Sequence, residues 1–236
     1  MEITQETSVG HIATTIPASI DVFERFGVDF CCGGDKPLSE ALRGTGVSVG
    51  DLLAEIEAAV AALASEQRLH EDWSERDPAS LADHVERAHH IYLREKLPYV
   101  GEKMATVLRV HGELHPELFE LGRLLEHLRK EIDAHLETEE TVVFPALREI
   151  VETGASGTKG AALEDSLQML ETEHDEVGRL LKAMRGITSN YHPPAGACAT
   201  YSVLFRELQA LEADIHRHVH LENNIMFAAA RKLIRP

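Results

Sequence analysis

Two stretches of this chain set histidine and glutamate at a spacing that can hold metal. In HLETEETVVFP, residues 135 to 145, His135 and Glu139 stand four residues apart, and in HVHLENNIMF, residues 218 to 227, His218 and Glu222 do the same. On an α-helix, residues i and i+4 share one face about 6 Å apart along the axis, so both side chains can point at one cation or at two neighbouring ones. Each stretch also carries a phenylalanine five residues after its glutamate, Phe144 and Phe227.

The repetition reaches further upstream. His90 precedes His135 much as His174 precedes His218, and the pairs His90/His174, His135/His218 and Glu139/Glu222 are offset by 84, 83 and 83 residues. One chance pair of such motifs would carry little weight in a chain with 14 His and 40 acidic residues. Six residues keeping one offset point to a duplicated helical hairpin closing on a dinuclear metal site.

The elements that must position these residues read as four long helices. The first has His90, Leu93, Leu97, Val100, Met104 and Val107 at three-four spacing, with Pro98 inside the pattern. The second runs Leu121, Leu124, Leu128, His135, Glu139, Val142; the third Leu163, Leu167, Leu170, His174, Val177, Leu181, Met184; the fourth Leu204, Leu208, Leu211, Ile215, His218, Glu222, Ile225. Every candidate ligand thus falls in the apolar stripe of its helix and faces a bundle interior. Buried imidazole and carboxylate are costly unless something satisfies them, and cations would do so for all six. HGELHPE, TGASGTKG and SNYHPPAGAC separate the helices, and no strand-like alternation of useful length appears, so the expected class is all-α.

Residues 1–76 read as a small helical N-terminal domain and 77–236 as the four-helix bundle. In the first, Gly27 suits the end of a helix, Ser48 with Asp51 resembles a capping box, and the following DLLAEIEAAVAALASEQ is amphipathic. The boundary falls in EDWSERDPAS, where Asp77-Pro78 is a helix start. All six candidate ligands follow it, so a chain beginning near Asp77 is expected to retain the metal site.

Composition narrows the partners. With 23 Lys and Arg against 40 Asp and Glu, the net charge is −17, which disfavours nucleic acid and anionic membranes. No apolar run is long enough to span a bilayer, and the start MEITQETSVG lacks the features of a signal peptide, so a cytoplasmic protein is expected. Three cysteines, two of them adjacent, make no disulfide framework.

Four imidazoles and two carboxylates form an N/O donor set without sulfur, unlike a common structural zinc site. Two irons, each with two histidines and sharing two bridging carboxylates, would use all six and leave room for an oxo or hydroxo bridge. Manganese is chemically acceptable, but imidazole favours iron. Glu131 and Asp214, one turn before His135 and His218, and Glu173, beside His174, are candidates to support the ligands from behind; a solvated face explains them nearly as well. The remaining histidines are expected outside the site, with His84 and His89 off the His90 stripe and His216 and His220 facing away from it.

The His90, His135/Glu139, His174 and His218/Glu222 pattern resembles the hemerythrin-like fold. Together with DFCCGGDKPLSEA near the N-terminus, the chain resembles the repair-of-iron-centres di-iron family over nearly its whole length. The resemblance implies a non-haem di-iron protein of the cytoplasm that helps restore iron–sulfur clusters damaged by oxidative or nitrosative stress, with damaged iron–sulfur proteins as partners. An electron donor is a further expected partner, and the chain is either a monomer or a homodimer. Oxygen-carrying hemerythrins take a second histidine from the third helix one turn after the first; here that position is Gly178. Cys31 and Cys32 are candidate redox or iron-transfer thiols, with Gly33-Gly34 leaving the backbone free to expose them. Two other readings stay open: a di-iron enzyme reducing nitric oxide or peroxide, and an oxygen-binding sensor or carrier.

Overall fold

A computed structural model of the protein describes residues 3–66, 73, 76–154 and 158–234. The N-terminal unit comprises α1 (Val9–Thr15), α2 (Ser19–Phe26), α3 (Leu38–Ala41) and α4 (Val49–Glu66). Four antiparallel rods follow. The first is α5 (Pro78–Val85), π1 (Glu86–His90) and α6 (Ile91–His111); the second is α7 (Glu117–Thr138), π2 (Glu139–Val143) and α8 (Phe144–Thr153). The third is α9 (Thr158–Ile187), and the fourth is α10 (Ala199–His220), π3 (Leu221–Met226) and α11 (Phe227–Ile234). There is no strand among the described residues, only an isolated bridge between Ser8 and Pro37. The all-α expectation holds.

Local chemistry explains several boundaries. Gly27 ends α2 in the left-handed conformation, φ 66°, which costs a side-chain-free residue nothing. Asp77 caps α5: its Oδ1 accepts the Ser80 amide at 2.9 Å and its Oδ2 the Ser80 hydroxyl at 2.6 Å, with Pro78 at the first helical position. Ser48 Oγ accepts the Asp51 amide at 3.1 Å ahead of α4. Part of the EDWSERDPAS boundary and of the TGASGTKG loop lies outside the described residues.

The first rod packs beside the second and the fourth; the third packs beside the second along α7 and beside the fourth through α11. Their apolar stripes form two hydrophobic clusters. One contains Leu93 to Val107, Leu118 to Leu136, Val177 to Met184 and Tyr201 to Val219; the other contains Leu81 to Val85, Val143 to Ile150, Leu163 to Leu170 and Ile225 to Ala230. On every rod the candidate ligands fall between the two, as a polar belt across the bundle.

The second rod departs from the expected register. Leu125 is buried and Leu124 half-buried, and Val142 is 54% exposed while Val143 is buried. The π turn explains the latter: an i→i+5 bond inserts one extra residue per turn, so a 3.6-residue stripe extrapolated past Glu139 arrives one position early.

The N-terminal unit does not stand apart. Val9, Ile12, Phe23, Phe30, Leu38 and Leu52 belong to the same cluster as the bundle's Val177, Ile215 and Val219. Phe30 stacks on Phe23 (5.9 Å between centroids) and meets His216 (6.1 Å) and His220 (5.5 Å) edge-on. His216 and His220 therefore do face away from the ligand stripe, but not to solvent: they are the bundle's floor for the N-terminal unit, His220 fully buried and His216 half-buried. Gly10 and Gly34 approach backbone to backbone (Gly10 N to Gly34 O, 2.8 Å), and a Cβ on either would collide with the Asn224 side chain.

Burial depresses the His220 imidazole to about 4, partly offset by the backbone of Phe30, and its Nδ1 faces the Asn224 amide at 3.1 Å. A histidine held neutral in the fold stabilises it above the unfolded value of 6.5, and that stability drains as pH falls toward 4. Its full loss amounts to on the order of 3 kcal/mol. Urea unfolding of metal-loaded wild type and His220→Leu across this window should show the wild type losing stability more steeply on acidification. Parallel pH slopes would remove His220 from the account.

Candidate metal centre

The six ligand candidates converge. Glu139, Glu222 and His90 are 0% exposed, and His135, His174 and His218 no more than 4%. They form two groups whose ligand atoms lie within 4.8 Å of one another and could each hold an ion: His90, His218, Glu139 and Glu222, and His135, His174, Glu139 and Glu222. Both carboxylates belong to both groups, and they divide their oxygens. Glu139 turns Oε2 to His90 Nε2 (3.3 Å) and His218 Nε2 (3.8 Å), and Oε1 to His135 Nε2 (3.4 Å). Glu222 turns Oε1 to His218 Nε2 (3.0 Å), and Oε2 to His174 Nε2 (3.1 Å) and His135 Nε2 (4.0 Å).

These separations suit cations better than direct hydrogen bonds. Donors each about 2.1 Å from one ion stand about 3.0 to 3.5 Å apart at ordinary bond angles. Despite their closeness, His90 Nε2, both oxygens of Glu139 and Oε2 of Glu222 make no aligned hydrogen bond although fully buried. Two carboxylates without enough aligned donors in an apolar interior would be strongly destabilising unless positive charge sat between them. The residues fit a pair of metal ions.

The π turns locate the candidate ligands. π1 ends on His90, π2 begins on Glu139, and π3 carries Glu222. Inserted residues of this kind widen the turn and re-aim side chains, and they recur at functional positions. In the first rod the effect corrects an expectation: His89 does not lie off the site. It is buried beside His90, and its ring lies parallel to that of His218 with centroids 5.6 Å apart.

Behind the ligands, His90 Nδ1 pairs with Glu140 (2.8 Å), His135 Nδ1 with Glu173 (2.7 Å) and His174 Nδ1 with Asn223 Oδ1 (2.8 Å). Such partners fix the tautomer that presents Nε2 and hold the ring in place. Arg94 braces Glu140 through both guanidinium arms at 2.6 and 3.0 Å. Glu173 is thus at the site. Glu131 is not: it is substantially exposed and pairs with His127 at 3.3 Å. Asp214 accepts from His89 at 3.0 Å, so it reaches the site only through that ring. Glu140 and Asn223 were legible but unread: each directly follows a ligand glutamate, at the same repeat offset.

The charges distribute unevenly. Burial lowers His135 and His90, but the negative charges of nearby Glu139 and of their other carboxylate neighbours outweigh it and raise both, His135 strongly. For His218 burial prevails over Glu222 and lowers it. Burial raises Glu222, yet His218 and His174 bring it well below the usual carboxylate range.

Cys31 and Cys32 are free thiols 3.9 Å apart, the first buried and the second half-buried. Cys32 Sγ donates to the carbonyl oxygen of His174 at 3.4 Å, directly behind a ligand. Asn223 joins the two regions again, with one side-chain atom on the His174 ring and the other 3.5 Å from the Cys31 carbonyl. A Cβ on Gly178 would lie 3.5 Å from Cys32 Sγ, so the space beside the third rod there is shared with a thiol.

Comparison with known sequences agrees with this architecture. The hemerythrin HHE cation binding domain family matches residues 81–230, and a domain of unknown function, ScdA_N, matches residues 5–60. The chain is 34% identical over 225 residues to the iron-sulfur cluster repair protein ScdA of Staphylococcus haemolyticus (strain JCSC1435), covering 95% of this chain and 98% of that one. It is 32% identical over 226 residues to the iron-sulfur cluster repair protein YtfE of Escherichia coli O81 (strain ED1a), covering 96% and 97%.

Removing a bridging carboxylate should cost far more metal than removing an exposed one. Glu139→Ala and Glu222→Ala should purify with most of their metal lost, whereas Glu131→Ala should match wild type. Glu173→Leu should weaken binding by about 10-fold or more, since it removes the acceptor that holds the ring of His135. Elemental analysis and a chelator competition read both effects; equal metal content in the three alanine variants would refute the ligand set.

Proposed function

The chain belongs to the hemerythrin HHE cation binding domain family, and we propose that it is a di-iron protein that repairs iron–sulfur clusters damaged by oxidative or nitrosative stress. One observation carries the reading: two pairs of buried imidazoles share two carboxylates, each giving one oxygen to either pair. His90, His135, Glu139, His174, His218 and Glu222 would hold two irons, with Glu139 and Glu222 bridging. Bound there, the metal supplies a store of iron and accessible redox chemistry in one place. The rest is the protein's work: Glu140, Glu173 and Asn223 hold three imidazoles in the metal-facing tautomer, and the two apolar clusters keep bulk water from the belt.

Repair needs contact with damaged iron–sulfur proteins, and we assign that contact to the N-terminal unit that carries Cys31 and Cys32. Its hydrogen bond to Cys32 and its burial push the Cys31 thiol well above its usual range, so at neutral pH it is a protonated thiol and a weak nucleophile. A cation bound at this thiol would have to displace its proton, since the metal ligand is the thiolate. An oxygen-carrier reading has less support, since Gly178 offers no ligand. None of the described helices is long and apolar enough to cross a membrane, and we propose a cytoplasmic location from the likeness to bacterial iron-sulfur cluster repair proteins.

Protein produced with iron should carry about two irons per chain. The double variant Cys31→Ser/Cys32→Ser removes no bundle ligand, so the iron held by its six-residue belt should equal wild type while restoration of a cluster-damaged enzyme falls. Undiminished repair by this variant would take the thiols out of the mechanism, and wild type that loads iron but restores nothing would overturn the repair function itself.

A further inference from the structure

The two cysteines have a third companion. Asp29, exposed and two residues before Cys31, places Oδ1 3.6 Å from Cys31 Sγ, and the ligand atoms of Asp29, Cys31 and Cys32 all lie within 4.8 Å of one another. We propose that Asp29, Cys31 and Cys32 form a second, mononuclear site for a thiophilic divalent cation such as Fe(II) or Zn(II), separate from the six-ligand belt.

The spacing is that of a tetrahedral face. With metal–sulfur bonds of about 2.3 Å and a metal–oxygen bond of about 2.1 Å, tetrahedral angles put two sulfurs about 3.8 Å apart and a sulfur and an oxygen about 3.6 Å apart. The observed separations are 3.9 Å between the thiols and 3.6 Å between Cys31 and Asp29. The donors are also held in advance. Asp29 Oδ1 accepts the amides of Cys32 (3.0 Å) and Gly33 (2.9 Å), and Asn224 Nδ2 donates to the carbonyls of Phe30 (3.3 Å) and Cys31 (3.2 Å). Little reorganisation remains for the cation to impose. Two cavities, of about 670 and 700 Å³, both reach Cys31 and Cys32 from either side, which gives a cation access and leaves a fourth position for solvent or a ligand from a partner.

Binding is an acid–base exchange with no change of oxidation state: M²⁺ enters, the two S–H bonds break, two metal–sulfur bonds form, and two protons pass to solvent. Soft sulfur donors with one carboxylate select against Mg²⁺ and Ca²⁺. The site deepens the repair reading by giving iron a named resting place between the belt and a client. Its existence, however, is testable without any repair assay.

The belt contains no sulfur, so thiolate-to-metal bands that vanish when Cys31 or Cys32 is replaced report on this site and not on Cys198, the other free thiol. Full-length, iron-loaded protein with reduced thiols is titrated anaerobically with Co(II). Wild type should gain thiolate-to-cobalt charge transfer and tetrahedral ligand-field bands that saturate at about one Co(II) per chain. Cys31→Ser and Cys32→Ser should lose sulfur bands. Asp29→Asn keeps an oxygen for the Cys32 and Gly33 amides, so the loop persists, yet affinity should fall about 10-fold or more. Iron in the belt should be unchanged in all three. The proposal is overturned if iron-loaded wild type shows no thiolate–cobalt bands, if either serine variant keeps them in full, or if Asp29→Asn binds as tightly as wild type. A chain that binds Co(II) at the thiols but loads no iron would keep this site and refute the di-iron reading instead.

Discussion

Two negative charges where none should be is the constraint from which the rest of the bundle follows. Glu139 and Glu222 are fully buried, belong to the same two ligand groups, and lack aligned donors for three of their four oxygens. An apolar interior tolerates that only with concentrated positive charge between them. The belt of imidazoles presents that charge with a frame, and the frame needs its own support: Glu140, Glu173 and Asn223 lock the rings, and Arg94 locks Glu140. The belt also explains why the hydrophobic core comes in two pieces, one on either side of it.

Much of this was written openly in the sequence, because duplication repeats a signal that would be weak once. The six ligand candidates came from one offset, and the class followed from three-four spacing on four segments. What stayed hidden shares one physical cause: periodicity assumes a uniform 3.6-residue turn, and the rods abandon it where the ligands sit. Past π2 the stripe passes from Val142 to Val143, and at π1 both His89 and His90 turn inward. The amphipathic pattern likewise could not say that His216 and His220 would be covered, since their cover, Phe30, comes from a distant segment. Glu131 and Asp214 looked equivalent by spacing; only tertiary neighbours separate them.

That separation shows how far the two halves have diverged behind a common ligand set. Where Glu173 backs His135, the equivalent residue of the other half is His89, which lies flat against His218 and passes its own Nδ1 to Asp214. Among the described residues, none gives the buried His218 Nδ1 a hydrogen bond. Where Glu140, held by Arg94, backs His90 with a charge, Asn223 backs His174 with a neutral amide. Matching candidate ligands thus sit in different electrostatic surroundings, and the repeat is symmetric in geometry but not in charge.

The docking of Cys32 against the His174 carbonyl gives this inequality a sense of direction. A closed pair of equal positions would have no front and no back, and an ion leaving it would have two equivalent ways out. Here the position framed by His135 and His174 adjoins the thiols, with Asn223 bridging the ring and the thiol-bearing backbone, while the position framed by His90 and His218 adjoins His89 and Asp214. A molecule that repeats one hairpin thereby has two unequal sides, one beside the thiols and one beside His89 and Asp214, while the six residues converging at its centre stay matched.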